Sequence, residues 1–388
     1  MTEPAITART LASPAAIESL AAEWRALEKA TPEATGFQAP AWRLCCESGK
    51  SAARLVAVRE NGRLVMLLPL QIDRMRGTAV ARWLGEPLAQ YGDALALPGP
   101  RRPDWLAAAE AEIGRWGDID LLALTRLRAD GVLAACGAPL VLASASRFAA
   151  PFVDLGRAPR RHRSIERRMK KLASHGELRL EAGAGPQDRR NAAEQALAFK
   201  SEWLRRQRRS SASLADPDVV ACALALAEKG VLCVHRLWAG ERLVSVELGL
   251  RREDAYRSLI AAYDSDLADC SPGHALTLLL MPLLARQGVK HFDFLPPADP
   301  YKLAFATGAT TMGALYRPFN ARGAVAAFAL ARLRPLAKDA VHALTDPGLP
   351  IGSMLRHLAR AAARSDRACG ESSNMGQNRF PSGAGTAI

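Results

Sequence analysis

The sequence predicts an α/β protein of two similar halves in tandem, each a mixed, mostly antiparallel sheet flanked by helices. Three observations point there. Strand-like and helix-like segments alternate along the chain. Each half holds a hairpin bearing Arg-Leu-Val, at Arg63-Leu64-Val65 and again at Arg242-Leu243-Val244. Each hairpin leads through a further strand and a helix to an apolar-Asp-apolar-Leu strand, with Asp120 and Asp293 in corresponding places. At 388 residues the chain has room for two ordinary domains, each with its own core. They are expected over 1–150 and 151–320, with helices over 321–364 and a disordered tail over 365–388.

In chain order, "ITARTL" alternates as a strand, and "SPAAIESLAAEWRALEKA" reads as a helix capped by Ser13 with Pro14 in its first turn. "FQAPAWRLCCES" starts a second helix. "ARLVAVREN" and "LVMLLPLQI" form a hairpin turning at Asn61-Gly62, residues suited to positive φ. The strand "GDALAL", the helix "RPDWLAAAEAEIGRW" and the buried strand "DIDLLAL" complete the first half. "HRSIERRMKKLASHG" is then a strongly basic helix ended by Gly176. The second half brings a hairpin turning at Ala239-Gly240, the strand "AYRSLIAAYD", a helix from Pro272 to Gln287, and "HFDFL". "TTMGALYRP" reads as a last strand. The tail from Ser365 is rich in Gly, Ser and Asn without periodicity.

Composition narrows the function. Apolar content of 49% and charge of 23% belong to a globular protein, and no run of eighteen apolar residues offers a membrane span. The N-terminus lacks the plan of a signal peptide, so the expected compartment is the cytoplasm. Seven unpatterned cysteines argue against a disulfide framework and against structural zinc, and no two histidines stand at ligand spacing; no metal is expected. The net charge of +13 favours polyanionic partners. Much of it is local: "RRHRSIERRMKK" holds seven Arg or Lys against one Glu, and "RRQRR" adds four more. These are either solvated helix faces or an anion-binding surface, and nucleic acid stays open as a partner. Cationic, amphipathic "AFALARLRPLAKDAVHAL" could pack on the second half or rest on a membrane surface.

One junction is chemically suggestive. "SPGHALTLLL" turns a strand abruptly into an apolar helix. A helix start carries unpaired N–H groups and a partial positive charge. Pro272 cannot donate, but Gly273, His274 and Ala275 can, beside Ser271. That is a competent seat for a phosphate, although Ser followed by Pro is also ordinary helix initiation.

"FQAPAW", "LLPLQI", "YDSDLADCSPGHALTLLL", "GVKHFDFLPPADPYKLAFA" and "YRP", in this order and spacing, resemble the CelD-like (cellulose-biosynthesis-type) acetyltransferases of the GNAT superfamily, a group related to FemAB-type tandem transferases. The resemblance covers roughly residues 15 to 320 and is densest between Leu237 and Phe305. It implies two tandem GNAT folds and an acyl-CoA co-substrate such as acetyl-CoA. The pyrophosphate would lie on the helix start at Ser271, Gly273, His274 and Ala275. The acceptor would be an amine, plausibly of an amino sugar or polysaccharide precursor, with N- or O-acylation left open. "LPGPRRPDW" in the first half is a poorer phosphate cradle, which assigns that half to the acceptor side. The chain departs from most GNAT enzymes in having a single Gly beside Pro272 where they carry R-x-x-G-x-G.

Aminolysis of a thioester needs a base for the amine and an acid for the thiolate. Glu247 in "RLVSVELGL" is the first candidate base, alternating with Val244 and Val246, which puts those valines on the opposite face. Its alternative is a solvated or Arg-paired carboxylate. Asp293, acidic in an apolar run, could orient the acceptor amine or satisfy turn N–H groups. Tyr301 follows the strand where GNAT enzymes place a thiolate-protonating Tyr, and Lys302 could bind phosphate or pair with Asp293. Two rival functions stand beside this one: a FemAB-type transfer from aminoacyl-tRNA, and a non-catalytic GNAT-fold module binding nucleic acid or a protein complex.

Overall fold

A computed structural model describes residues 5–333, apart from 76, 140, 143–148, 158–162 and 208–210. The chain divides into a compact unit, Met1–Ala324, and a second, Val325–Ile388. In the first half the elements are β1 (Ile6–Leu11), α1 (Pro14–Ala30), β2 (Ser51–Glu60), β3 (Arg63–Met75), β4 (Thr78–Trp83), β5 (Leu95–Ala96), α2 (Arg102–Gly114), β6 (Leu121–Arg128), α3 (Val132–Ala135) and β7 (Val141–Leu142). There follow β8 (Ala150–Asp154), α4 (Arg163–Ala173), β9 (Leu178–Ala182), α5 (Pro186–Arg206), α6 (Ala212–Ala215), α7 (Pro217–Glu228) and β10 (Cys233–Ala239). The remainder are β11 (Arg242–Arg252), β12 (Ala255–Tyr263), α8 (Pro272–Arg286), β13 (His291–Asp293), α9 (Pro300–Phe305), β14 (Gly308–Thr310), β15 (Met312–Pro318) and α10 (Ala321–Phe328).

Local chemistry explains the elements that sequence patterning finds. The Ser13 hydroxyl accepts the Ala16 N–H at the start of α1, and Pro14 needs no partner there. Asn61 and Gly62 both take positive φ, 51° and 82°, which matches the twist of the β2–β3 hairpin. In α4 only Ile165, Met169 and Leu172 turn to the core, one stripe at helical spacing. "FQAPAWRLCCES" forms a 3-10 helix, Pro40–Cys46, rather than an α-helix, and "GDALAL" pairs only at Leu95–Ala96.

Two mixed sheets result. One runs β1-β2-β3-β4-β6-β15-β7, with β5 also on β3; the other runs β14-β8-β13-β12-β11-β10-β9. The repeated plan is real: in each, a strand before the central helix pairs in parallel with the strand after it, β4 with β6 and β12 with β13. The two halves are nonetheless not cut cleanly at residue 150. Strand β15, late in the chain, pairs with β6 of the first sheet. A single core also runs from Trp24, Trp42 and Leu55 to Leu197, Leu226 and Leu248. Each half also keeps a cluster of its own, around Met66, Trp83 and Ile113 in the first and around Tyr256, Leu280 and Phe292 in the second, so the shared core is added to the two that were expected.

The expectation drawn from scattered cysteines fails at one pair. Cys45 and Cys222 form a disulfide across 177 residues, joining the 3-10 helix of the first half to α7. No spacing rule reveals such a bridge, because only packing brings the residues together. The Ala327–Leu344 helix lies outside the described residues beyond Leu333, as do the first residues of the basic segment and the whole tail. No helix among the described residues is long and apolar enough to cross a membrane.

Candidate active site

Strand β12 pairs with β13 over three rungs only, ending at Arg257 opposite Asp293. Beyond them β12 continues to Tyr263, bonded to β11 alone. The strands therefore part. From Ser258 onward β12 presents backbone groups that no β13 residue takes, the kind of edge an extended chain can bond. The register also slips between Leu248 and Gly249, a bulge that re-aims the β12 side chains next to the opening.

Helix α8 starts beside β12. Ser271 takes a left-handed conformation (φ 52°, ψ 56°), and its hydroxyl accepts a hydrogen bond from Arg168 of α4 at 2.8 Å. Lys171 of the same helix pairs with Asp269. The basic helix thus adds cations to the positive end of α8. Ala275, one of the expected donors, is committed: its N–H bonds Ser271 O at 3.1 Å as the first intrahelical bond. Of the N–H groups expected to hold a phosphate, those of the first turn at Gly273 and His274 are left, with Arg168 beside them. A Cβ on Gly273 would meet only the Tyr263 ring edge, at 3.4 Å, so the approach to its backbone is open. The His274 ring packs on Tyr301 (5.7 Å between centroids) and Phe305 (5.8 Å), which ties α8 to α9. Asp264 braces the loop before α8: it bonds Arg242 and caps Asp266 N–H.

Glu247 lies in β11 between His235 of β10 and Ala261 of β12, 2% exposed. Its Oε1 has no hydrogen-bond partner. Burial pushes its carboxyl up to about 8, against the pull of the Ser258 hydroxyl, Lys302 and Lys200. The solvated and Arg-paired alternatives do not describe it. Val246 lies on the opposite face, as alternation requires, but Val244 does not: β11 bulges where Leu237 and Trp238 of β10 face it, returning Val244 to the core under α8. On Glu247's own face Gly249 makes room for Tyr256, whose Oη would stand 2.1 Å from a Cβ there. That hydroxyl meets His235 Nδ1 at 3.3 Å, and burial pushes the imidazole down to about 4, so it is neutral near pH 7.

Tyr301 is 41% exposed at the start of α9, and partial burial with the negative charges of Glu247 and Asp299 raises its hydroxyl above the ordinary value. The next residue, Lys302, turns inward: its Nζ donates to Leu295 O at 3.0 Å, 3.8 Å from Asp299 Oδ2. Its ion pair is with Asp299 and not with Asp293. Burial lowers its pKa, which eases loss of the proton.

Asp293 is set apart from this group. Phe292 stacks on Tyr256 beneath α8, so by strand alternation Asp293 points to the other face, toward the first half. There its Oδ2 accepts the Tyr91 hydroxyl at 2.7 Å and its Oδ1 accepts Leu295 N–H at 2.8 Å. Burial raises its pKa, while Arg257 opposes that rise. Of the sequence candidates, the fold therefore gathers Ser271, Gly273, His274 and Tyr301 at one end of the opening. Glu247 and Lys302 flank it, and Asp293 stands behind. Sequence reading offered Arg168 only within the basic helix, as one of several cations, and missed Tyr91 and Arg257. Only Arg257 leaves a signal, an arginine inside the apolar run "AYRSLIAAY".

Comparisons with known proteins agree with this architecture. Residues 159–303 match a family model described as acetyltransferase (GNAT) domain, the segment that holds α8, β11–β13 and α9. No curated protein matches the chain. Among solved structures, FemX is similar at 11% identity and a TM-score of 0.58, over 80% of this chain and 97% of its own. The C-terminal domain of a putative lysylphosphatidylglycerol synthetase from Agrobacterium fabrum is similar at 13% identity and a TM-score of 0.51, over 82% and 97%. A conserved protein of unknown function from Bacteroides thetaiotaomicron follows at 8% and 0.51, over 76% and 96%. At these identities the likeness is one of fold: the chain carries two GNAT-like folds in tandem, and the segment that matches the GNAT domain model lies in the second.

Proposed function

We propose that this chain transfers an acyl group from acyl-CoA to an amine, with the chemistry in its second half. The observation that carries this is the parting of β12 from β13 beside the start of α8, with the buried carboxyl of Glu247 on the flanking strand. The residues present suit the donor. Gly273 and His274 offer first-turn N–H groups and Arg168 a guanidinium for the pyrophosphate, and the free edge of β12 suits an extended pantetheine. When bound, the thioester supplies an activated acyl carbon.

What the chain adds is proton handling and position. An acceptor ammonium must lose a proton to attack, and Glu247, with a pKa of about 8, can take one when ionised. Desolvation keeps that carboxylate basic, and Lys302 and Lys200 steady the charge. Tyr301, with its proton held, is the group suited to return one to the leaving sulfur. The first half then serves the acceptor side. Its equivalent helix start, at α2, already carries a carboxylate, Asp104 bonded to Arg101, whose charge disfavours a phosphate there. By the CelD-like resemblance the acceptor is an amino sugar or a cell-envelope polysaccharide precursor.

Titration calorimetry with acetyl-CoA tests the donor: saturable binding is expected, weakened several-fold in Arg168→Ala. No binding of acetyl-CoA or of longer acyl-CoAs would sink the proposal. A second donor, aminoacyl-tRNA, is favoured by one observation, the exposed basic face of α4 (Arg163, Arg167, Lys170) beside α8. Salt-sensitive tRNA binding that acetyl-CoA fails to displace would select it.

A further inference from the structure

Arg257 is 6% exposed, yet neither its Nε nor its Nη1 has a hydrogen-bond partner. Asp293, its rung neighbour across β12 and β13, spends both carboxylate oxygens elsewhere, on the Tyr91 hydroxyl and the Leu295 N–H. The Asp293 charge is near enough to favour the guanidinium, but neither Nε nor Nη1 donates to it. The adjacent Arg128 is already held in a fork by Asp130 and lies 5.4 Å over the Tyr91 ring. A desolvated guanidinium with idle donors is costly unless something accepts from it, and no described residue of the first half does. Its place is equally telling. Arg257 is the last paired residue before the strands part, and it faces the first half, opposite the face that holds Tyr256 and Glu247.

We infer that Arg257 anchors an oxyanion of the acceptor, a carboxylate or a phosphate, so that the substrate is an anionic amine. This rests on the acyltransferase proposal and deepens it. The donor would come from the α8 side and the acceptor from the first-half side. In the planar guanidinium each idle donor, Nε or Nη1, pairs with an Nη2 N–H in a parallel fork, the geometry that carboxylate and phosphate oxygens fit. The Tyr91 hydroxyl and the Leu295 N–H occupy the Asp293 oxygens, and two of the Arg257 donors stay without a partner.

The test has two arms on the full chain. In the first, the Nε–Hε resonance of Arg257 is followed in arginine-labelled protein, assigned by its loss in Arg257→Lys. Acetate and inorganic phosphate are then titrated at constant ionic strength. A saturable shift with one of them is expected and identifies the oxyanion; no shift with either overturns the inference, whatever the donor proves to be. In the second, acetyl transfer is compared between glucosamine and glucosamine 6-phosphate, and between ethanolamine and glycine. The anionic member of a pair should be preferred ~10-fold or more in kcat/KM, and that preference should disappear in Arg257→Lys. Equal preference in both proteins refutes the anchor. No transfer to any amine counts against the acyltransferase proposal, and the resonance arm still decides the anion site. Should Arg257→Lys fail to fold, Arg257→Gln serves for assignment.

Discussion

Replacing Glu247 with Gln should make the protein more stable at neutral pH while removing its activity. The carboxyl goes from an ordinary value of 4.5 to about 8 on folding, because burial disfavours its charge. The folded state therefore keeps a proton that the unfolded chain has released. Below about pH 4.5 both states are protonated and the group costs nothing. As pH rises from there to about 8, stability falls by about 1.4 kcal/mol per unit, to a total of about 5 kcal/mol as an order of magnitude. Gln has the same shape and does not titrate. Urea unfolding of both proteins from about pH 5 to about pH 8 gives the difference directly, since every other group cancels. The stability of Glu247→Gln relative to the parent should rise by roughly 4 kcal/mol across that range. A pH-independent difference would show that Glu247 is ionised or solvated in the folded protein, and would remove it as the base. In acetyl transfer, the same variant should lose ~100-fold or more in kcat with acetyl-CoA affinity unchanged.

Other consequences follow from single contacts. Reducing the Cys45–Cys222 bridge should lower stability by ~2–5 kcal/mol because it spans 177 residues, measured by urea unfolding with and without dithiothreitol. Tyr91→Phe removes the hydroxyl that holds Asp293, at a cost of ~1–3 kcal/mol by the same assay. Gly249→Ala puts a Cβ 2.1 Å from the Tyr256 hydroxyl, so the ring must leave His235; ~1–3 kcal/mol of destabilisation is expected, with Gly273→Ala as the mild control. Arg168→Ala should raise the KM for acetyl-CoA a few-fold with kcat unchanged, the mark of a contact made equally to bound donor and transition state.

Much of the fold was legible because its signals are local. The cap at Ser13, the Asn61-Gly62 turn and the period-2 runs of the hairpins are set within a few residues, and the internal repeat emerges from their order. Glu247 was legible as a carboxylate at the centre of an apolar strand. Its separation from Val244 was misjudged, because a bulge depends on the partner strand and shifts alternation by one. Ala275 was misjudged as a donor because the first helical bond claims its N–H. Tyr91 had no local signal, being 202 residues from Asp293, and the basic run marked Arg168 as a cation but not as a partner of Ser271, 103 residues away.

The sequence by itself determined which segments become strands and helices, that their plan occurs twice, and that a helix start with an open glycine stands between two central strands. Only the tertiary structure decided that a further core joins the two halves, that β15 completes the first sheet, and that Glu247 and Asp293 serve opposite faces. The division has a physical reason. Hydrophobic period and caps depend on neighbours along the chain, whereas desolvation, an orphaned donor and a pKa depend on whatever the rest of the molecule brings within a few ångströms.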